Sequence, residues 1–226
     1  HHENTFVEFN REPLIPHITS AEGPALAVGD LNGDGLDDVF IGNAKHAVAG
    51  LFFQDASGHF AKQICPALRL DSVYEDVEAL ILDVDRDGDK DLLVGTGGNE
   101  FFNNVPEQLS RVYLNDGKGN LTRNPTAFQG LYPTVSTLQA SDVNGDGFVD
   151  LFMGARSVVS NYGTIPDSYL LLNDGKGNFK DATDAYCKDL RKVGLVKNSV
   201  WCDLDKDGKP DLAVVTEWDG IHAFMR

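Results

Sequence analysis

Acidic residues recur in four nine-residue segments whose spacing could bind a divalent cation. The first segment, residues 30–38, reads DLNGDGLDD, and the others begin at Asp83, Asp142 and Asp203. Each follows the pattern D-x-D/N-x-D-G-x-x-D, which offers side-chain oxygens at positions 1, 3, 5 and 9 and a main-chain carbonyl at position 7. Hard oxygen ligands of this kind suit Ca²⁺. The sequence therefore predicts about four calcium sites, one in each segment.

The candidate ligands occupy the odd-numbered positions of the four loops. They are Asp30, Asn32, Asp34, Leu36, Asp38, Asp83, Asp85, Asp87, Asp89, Asp91, Asp142, Asn144, Asp146, Phe148, Asp150, Asp203, Asp205, Asp207, Lys209 and Asp211. Glycine at position 6 marks a sharp turn in a conformation that costs other residues energy. Four acidic turns that bind no metal are the alternative interpretation of the same pattern.

The flanks of these loops separate them from EF-hands. An EF-hand loop needs a bidentate Glu at position 12 and a helix on each side. Position 12 here is Ile41, Val94, Met153 or Val214. Flanks such as ALAVG at residues 25–29 are short and apolar, which is typical of buried strands. The loops are therefore predicted to join strands, with the aspartate at position 9 completing the ligand set.

The loops belong to a longer internal repeat. Their starts are separated by 53, 59 and 61 residues, and the turn NDGKG occurs at residues 115–119 and again at 173–177. Asp-Gly between apolar runs indicates a hairpin, so each repeat is predicted to hold four antiparallel strands, as a β-propeller blade does. We expect an all-β propeller with an N-terminal preface over residues 1–20, including a strand at 6–9, and with blades over 21–64, 65–123, 124–181 and 182–226.

Two stretches carry a family resemblance. Residues 24–42, PALAVGDLNGDGLDDVFIG, resemble the FG-GAP repeat of integrin α-subunit propellers, and residues 113–121, YLNDGKGNL, resemble the hairpin of bacterial VCBS-type repeats. The fourth repeat lacks its last strand, and four blades are fewer than the seven common in such propellers. We expect the chain to be part of a larger, seven-bladed type of propeller. Alternatively, the preface strand completes the fourth blade and four blades close as a ring.

The resemblance implies that the calcium loops share one rim and that longer connections project from the opposite rim. Aromatic and arginine side chains on a rigid scaffold are typical of recognition faces. The candidate partner-binding residues in these connections are Asn99, Glu100, Phe101, Arg156, Tyr162, Glu217 and Trp218. The alternative is that Phe101, Phe102 and Trp218 pack under their own loops.

Charge and composition narrow the class of partner. The formal net charge is −16, and the four loops hold 16 of the 35 acidic residues. Without a basic cluster, nucleic acid and anionic membranes are poor partners, and no apolar run is long enough to span a bilayer. For the three cysteines the sequence leaves two possibilities, a Cys187–Cys202 disulfide or three separate thiols. The chain starts at His1 without Met or a visible signal peptide, so we expect a mature domain or a fragment.

These expectations combine into a calcium-stabilised, extracellular or cell-surface binding module that recognises a protein or glycan and is not an enzyme. The resemblance implies a bacterial surface or outer-membrane setting, in some relatives beside an uptake complex. One alternative is a carbohydrate-active lyase or hydrolase in which Glu100, Arg156 and Glu217 act as acid, base and charge clamp. Another is a purely structural accessory domain.

Overall fold

The strands form successive antiparallel sheets. The structure, a computed structural model, describes residues 5–13, 15–20, 22–101 and 105–226. Within these residues there are four sheets, three of four strands and one of three, each following chain order from one strand to the next. This arrangement confirms the prediction of an all-β fold built from propeller-type blades.

The strand bounds are as follows. The first sheet contains β1 (Leu26–Gly29), β2 (Asp38–Ile41), β3 (Gly50–Gln54) and β4 (Phe60–Gln63), and the second contains β5 (Asp76–Leu82), β6 (Asp91–Thr96), β7 (Arg111–Leu114) and β8 (Thr122–Asn124). The third contains β9 (Thr134–Ser141), β10 (Asp150–Ser157), β11 (Tyr169–Asn173) and β12 (Phe179–Asp181), and the fourth contains β13 (Val196–Cys202), β14 (Asp211–Thr216) and β15 (Gly220–Phe224). Short α-helices α1 (Pro66–Leu70) and α2 (Thr183–Tyr186) and three 3₁₀ turns (Glu8–Asn10, Pro106–Gln108 and Lys188–Leu190) lie outside the sheets.

The core consists of apolar layers between adjacent sheets. Successive side chains of a strand point to opposite faces, and the central strand β6 uses this alternation. Leu92 and Val94 pack in the layer shared with the first sheet, whereas Leu93 packs in the layer shared with the third. Strand β10 repeats the arrangement, since Leu151 faces the second sheet and Phe152 faces the fourth. Burial on both faces explains the continuous apolar runs in these strands.

The innermost strands β1, β5, β9 and β13 lie side by side in chain order. The close approach of β9 and β13 requires a glycine, Gly154, in the neighbouring strand β10. A Cβ added to Gly154 would lie 2.7 Å from Cγ1 of Val196 and 2.7 Å from Cγ2 of Thr137. The glycine that ends the apolar run of β10 therefore sets the spacing between the third and fourth blades.

The two outer faces of the array are exposed. On β1, Leu26 is 59% and Val28 is 55% exposed, and on β13 Val200 is 51% exposed. The alternative of a closed four-bladed ring is therefore wrong, because β1 is not covered by the fourth blade. The prediction of a larger propeller stays a prediction, and these two faces are where further blades would pack.

The predicted preface strand at residues 6–9 is wrong. Instead of pairing, the segment forms the 3₁₀ turn Glu8–Asn10. The buried carboxylate of Glu8 accepts hydrogen bonds from the backbone N–H groups of Thr19 (2.7 Å) and Ser20 (2.9 Å), which fold the segment back on itself. Within the described residues, the outer strand missing from the fourth blade is not supplied by this segment.

The three cysteines, Cys65, Cys187 and Cys202, are all free thiols. Of the two possibilities for Cys187 and Cys202, the structure therefore has separate thiols. Among the described residues, no helix is both long and apolar enough to cross a membrane.

Candidate functional site

Each of the four acidic loops connects the first strand of a sheet to the second. The glycines at position 6 all adopt positive φ, as the turn requires: 83° at Gly35, 97° at Gly88, 87° at Gly147 and 84° at Gly208. Because the first and second strands of every blade are antiparallel neighbours, the loops lie on one rim of the array.

The aspartate at position 1 organises the loop itself. In the first loop, Asp30 accepts hydrogen bonds from the N–H groups of Gly33 (2.7 Å) and Gly35 (2.8 Å). In the third loop, Asp142 accepts from the N–H groups of Gly145 (2.7 Å) and Gly147 (2.8 Å). These contacts hold the carboxylate inside the turn, where its remaining lone pairs can serve a cation.

The aspartate at position 9 is fully buried and ties three segments of its blade together. One carboxylate oxygen accepts from the N–H at position 2 of the loop, at 2.9 Å in each repeat: Leu31, Val84, Val143 and Leu204. The other oxygen accepts from an N–H at the end of the third strand: Gln54 (3.0 Å), Asn115 (2.9 Å), Asn173 (2.9 Å) and Arg226 (2.9 Å). The sequence pattern predicts a metal ligand at position 9 and carries no sign of these contacts with the third strand.

In the second and fourth loops, three carboxylates converge as a hard divalent cation would require. Carboxylate oxygens of Asp83, Asp85 and Asp91 lie within 4.8 Å of one another, as do those of Asp203, Asp205 and Asp211. The pKa of Asp91 is raised to about 6, chiefly by burial; the charges of Asp85 and Asp87 add to the shift, and hydrogen bonds from backbone N–H groups oppose it. Burial also raises the pKa of Asp38 and of Asp150. Converging carboxylates that resist ionisation are the arrangement that a bound cation would relieve.

The four loops differ at position 3. In the first and third loops it is an asparagine whose amide N–H₂ donates to the position 5 carboxylate, from Asn32 to Asp34 at 3.1 Å and from Asn144 to Asp146 at 2.7 Å. A cation bound at these loops would replace that hydrogen bond with a metal contact. The fourth loop has a lysine at position 7. The pKa of Asp207 is lowered, first by a hydrogen bond from the backbone N–H of Lys209 and second by its ammonium, which lies 3.2 Å from the carboxylate.

Asparagine and arginine side chains join each of the first three loops to the next blade. The amide of Asn115 donates to the carbonyl of Leu31 (2.7 Å), and that of Asn173 donates to the carbonyl of Val84 (2.8 Å). At the last junction, Nη1 of Arg226 donates to the carbonyl of Asp142 (3.1 Å). The repeated NDGKG turns could have indicated this role, because their first asparagine recurs in register. The loops therefore connect blades as well as strands.

On the opposite rim, the structure brings four of the predicted partner-binding residues into one cluster. Nη1 of Arg156 lies 2.5 Å from Oε2 of Glu217, whose Oε1 accepts from the hydroxyl of Tyr162 at 2.8 Å. The ring of Tyr162 contacts the indole of Trp218 edge-on at 5.7 Å between centroids. Trp218 is 63% exposed, but Arg156 is only 1% exposed.

The N-terminal segment covers this cluster. Nε of Arg156 donates to Glu22 (3.1 Å), and its Nη2 lies 2.7 Å from Nε2 of His17. Nearer the N-terminus, the carboxylate of Glu12 accepts a hydrogen bond from the backbone N–H of Tyr162 (2.9 Å). Sequence reasoning did not find these contacts, because no local pattern connects residues so far apart in the chain.

The other three predicted residues do not contact Arg156 directly, although Asn99 and Tyr162 share the carboxylate of Glu12. Asn99 is buried, and its amide nitrogen donates to Glu8 (2.8 Å) and to Glu12. Phe101 is buried under the ammonium of Lys45, 4.4 Å from the ring centroid, and Glu100 lines the cavity beside these two residues. The alternative that loop aromatics pack under their loops thus describes Phe101, whereas Trp218 is exposed and Phe102 lies outside the described residues.

Sheets of antiparallel strands that repeat with an acidic loop in register define a repeat protein of the propeller type. The family model for FG-GAP-like repeats matches residues 30–94, 83–153 and 142–214, and the chain belongs to that family. No curated protein matches the sequence. Among solved structures, the chain is similar to the V. cholerae biofilm matrix protein Bap1, with 21% identity and a TM-score of 0.45 over 84% of this chain. The match spans 23% of the Bap1 chain.

Proposed function

We propose that the protein is a calcium-stabilised adhesion module of the extracellular space or cell surface. In this proposal Ca²⁺ occupies the four acidic loops as a structural ion, and connections on the opposite rim bind a protein or glycan. The observation that carries the structural role is the position of the loops at the junctions between blades, where Asn115, Asn173 and Arg226 each reach the loop of the preceding blade.

The energetic contribution of the ions follows from mass action. Extracellular calcium modules have dissociation constants of about 10⁻⁴ to 10⁻³ M. At ten times the dissociation constant, each site adds about 1.4 kcal/mol to the free energy of unfolding. Four such sites contribute an amount comparable to the net stability of a domain, about 5 to 15 kcal/mol. A module of this kind is stable outside the cell, where calcium is abundant, and weak where calcium is scarce.

The rim opposite the loops supports the binding role. It is built from long connections that are anchored at their bases, since Arg156 and Asn99 are buried in polar networks. Trp218 and Ile165, in connections on the same rim, are exposed. Irregular loops held by a rigid scaffold are common binding surfaces, and exposed aromatic side chains are frequent in recognition patches.

The catalytic alternative gains no support from the geometry. It requires Glu100, Arg156 and Glu217 to converge on one substrate. Arg156 is instead buried in ion pairs with Glu22 and Glu217, and Glu100 lines a different cavity. Arginine engaged in this way stabilises the rim and is not available to a substrate.

An array experiment tests the adhesion role. Protein and glycan arrays are probed with the 226-residue chain, once in millimolar Ca²⁺ and once in EGTA. The proposal predicts binding that is retained in Ca²⁺ and lost with the chelator. A chain that is folded in Ca²⁺ and binds neither class of ligand fits the structural accessory alternative and contradicts the adhesion role.

A further inference from the structure

A cavity of about 310 Å³ lies on the rim opposite the calcium loops. Its walls come from Tyr132 in the connection before β9, from Thr134 and Ser157 at the paired ends of β9 and β10, and from the connection that follows β10, residues 158–167. Gln108, Tyr169 and Lys192 complete it. The cavity is at the small end of the range for ligand sites, about 300 to 1,000 Å³. It is separate from the cluster around Arg156.

A β-bulge near the end of β10 places the side chains of Arg156 and Ser157 in different surroundings. Ala155 pairs with Val135 and Ser157 pairs with Thr134, so Arg156 is the unpaired residue between them. Bulges of this kind re-aim side chains, often beside functional sites. The result is that Arg156 contacts the N-terminal segment, while Ser157 and its cross-strand neighbour Thr134 line the cavity.

Ser157 carries a polar atom that the protein leaves unsatisfied. The residue is 4% exposed, and its hydroxyl oxygen is buried without a hydrogen-bond partner among the described residues. An unpaired buried hydroxyl costs free energy, and native structures hold few such groups. A hydroxyl in the wall of a cavity is explained if a ligand supplies the missing partner.

The lining favours an uncharged ligand. Among the described residues that line the cavity, the charged ones are Asp167 and Lys192, and they neutralise each other across 2.8 Å. The ammonium of Lys192 also donates to the carbonyl of Ile165 at 3.0 Å. The lining therefore presents no spare charge to an acidic or basic group.

Aromatic and hydroxyl groups make up much of the remaining surface. Tyr132 and Tyr169 are both half-buried in the wall. Burial raises the pKa of Tyr169, with Asp167 adding to the shift, so its phenol stays protonated and able to donate at neutral pH. Aromatic faces combined with hydroxyl donors and acceptors suit a ring that has an apolar face and a polar edge.

We propose that this cavity binds one neutral pyranose ring of a glycan, with the Ser157 hydroxyl hydrogen-bonded to a sugar hydroxyl and a tyrosine ring against the apolar face of the sugar. The inference rests on the proposed adhesion function and specifies its ligand class and site. It moves the binding site from the Arg156 cluster to the neighbouring connections of the third blade.

Saturation-transfer NMR with the full chain in millimolar Ca²⁺ tests the site. The probes are the methyl glycosides of glucose, galactose and mannose, with glucuronate as the charged comparison. We expect transfer to at least one neutral glycoside and weaker transfer to glucuronate. Ser157→Ala is expected to weaken binding about threefold to tenfold, the value of one hydrogen bond, and Tyr132→Ala is expected to weaken it by a similar factor.

The serine variant separates a binding role from a structural one. Because its hydroxyl has no partner in the free protein, Ser157→Ala is expected to leave the melting temperature unchanged or slightly raised. Ser57→Ala, in the exposed hairpin turn after β3, is the matched control and is expected to leave glycoside binding unchanged.

Two outcomes overturn the inference. One is the absence of transfer to every neutral glycoside, and the other is binding that survives both Ser157→Ala and Tyr132→Ala. The adhesion proposal is judged separately by the arrays. If the arrays identify a protein ligand, the cavity proposal is refuted and the adhesion role stands. The same holds for a glycan whose binding is lost in Trp218→Ala but kept in Ser157→Ala.

Discussion

Replacing Asn173 by aspartate tests whether the acidic loops join neighbouring blades. The buried amide nitrogen of Asn173 donates to the carbonyl of Val84, in the second loop, at 2.8 Å and to the carbonyl of Val149, in the third loop, at 3.1 Å. Aspartate has nearly the same shape and can still accept from the N–H of Gly175, as the amide oxygen does at 3.0 Å. It differs by placing an acceptor, with negative charge, against two carbonyl oxygens.

The expected magnitude follows from the two lost hydrogen bonds. Each contributes about 0.5 to 1.5 kcal/mol net, and carbonyls left buried without a donor add a desolvation cost. We expect Asn173→Asp to lower the free energy of unfolding by about 2 to 4 kcal/mol and the melting temperature by roughly 5 to 15 °C. Asn173→Ala removes the same two bonds and also the acceptor for the N–H of Gly175, but it adds no charge, so its loss should be of similar size, about 2 to 4 kcal/mol.

Urea denaturation in Ca²⁺, followed by tryptophan fluorescence, measures the effect. Asn161→Asp, an exposed position on the opposite rim, makes the same chemical change and should stay within about 0.5 kcal/mol of the wild type. If Asn173→Asp is as stable as Asn161→Asp, the contact between the loop and the next blade does not hold the blades together and the reasoning is refuted.

Three further predictions follow from the structure. Asn32→Asp gives the first loop a fourth candidate ligand carboxylate, so calorimetry should show tighter Ca²⁺ binding at that loop. Asp85→Asn removes a carboxylate from the second loop and should weaken Ca²⁺ binding there. Affinities unchanged from the wild type in both variants would contradict the proposed ligand role of position 3. Burial by itself raises the pKa of Glu8, but hydrogen bonds from Thr19, Ser20 and Asn99 lower it below the ordinary 4.5. The stabilising effect of the Glu8 carboxylate is therefore complete above pH 4.5 and is lost as the pH falls through the lowered pKa. Cleavage at Arg11 by a protease active in acid should therefore rise as the pH falls in the wild type, whereas Glu8→Gln should be cleaved readily at every pH. A wild type cleaved equally at every pH would refute the anchor. Because all three cysteines are free thiols, dithiothreitol should leave the melting curve unchanged, and a reducible shift would reveal a disulfide.

The acidic loops and hairpins could be predicted from the sequence because their determinants are local. Ligand oxygens at alternate positions and glycine at a positive φ are set within nine residues, so the pattern alone predicts the turn and the strands beside it. Recurrence of the pattern then predicts the blades. The second role of the position 9 aspartate was not predictable in this way, since one of its partners lies on the third strand of the blade.

Contacts between distant segments account for the predictions that failed. Residues 6–9 alternate as a strand does, yet Glu8 finds its partners at Thr19, Ser20 and Asn99 and the segment turns instead. Arg156 resembles an exposed recognition residue in sequence, but it is buried against Glu22, which lies 134 residues earlier. The cavity proposed to bind a saccharide has no sequence signal either, because its lining comes from four separate connections and the strands beside them.

Thermal unfolding of the chain in Ca²⁺ and in excess EGTA tests the central claim most directly. Four sites at ten times their dissociation constant stabilise the folded state by about 5 to 6 kcal/mol, which corresponds to a fall of roughly 10 to 20 °C in melting temperature on chelation. Mg²⁺ at the same concentration should restore little of the loss, because it demands stricter octahedral geometry. Superimposable melting curves in Ca²⁺ and EGTA would show that the four loops hold their blades without an ion.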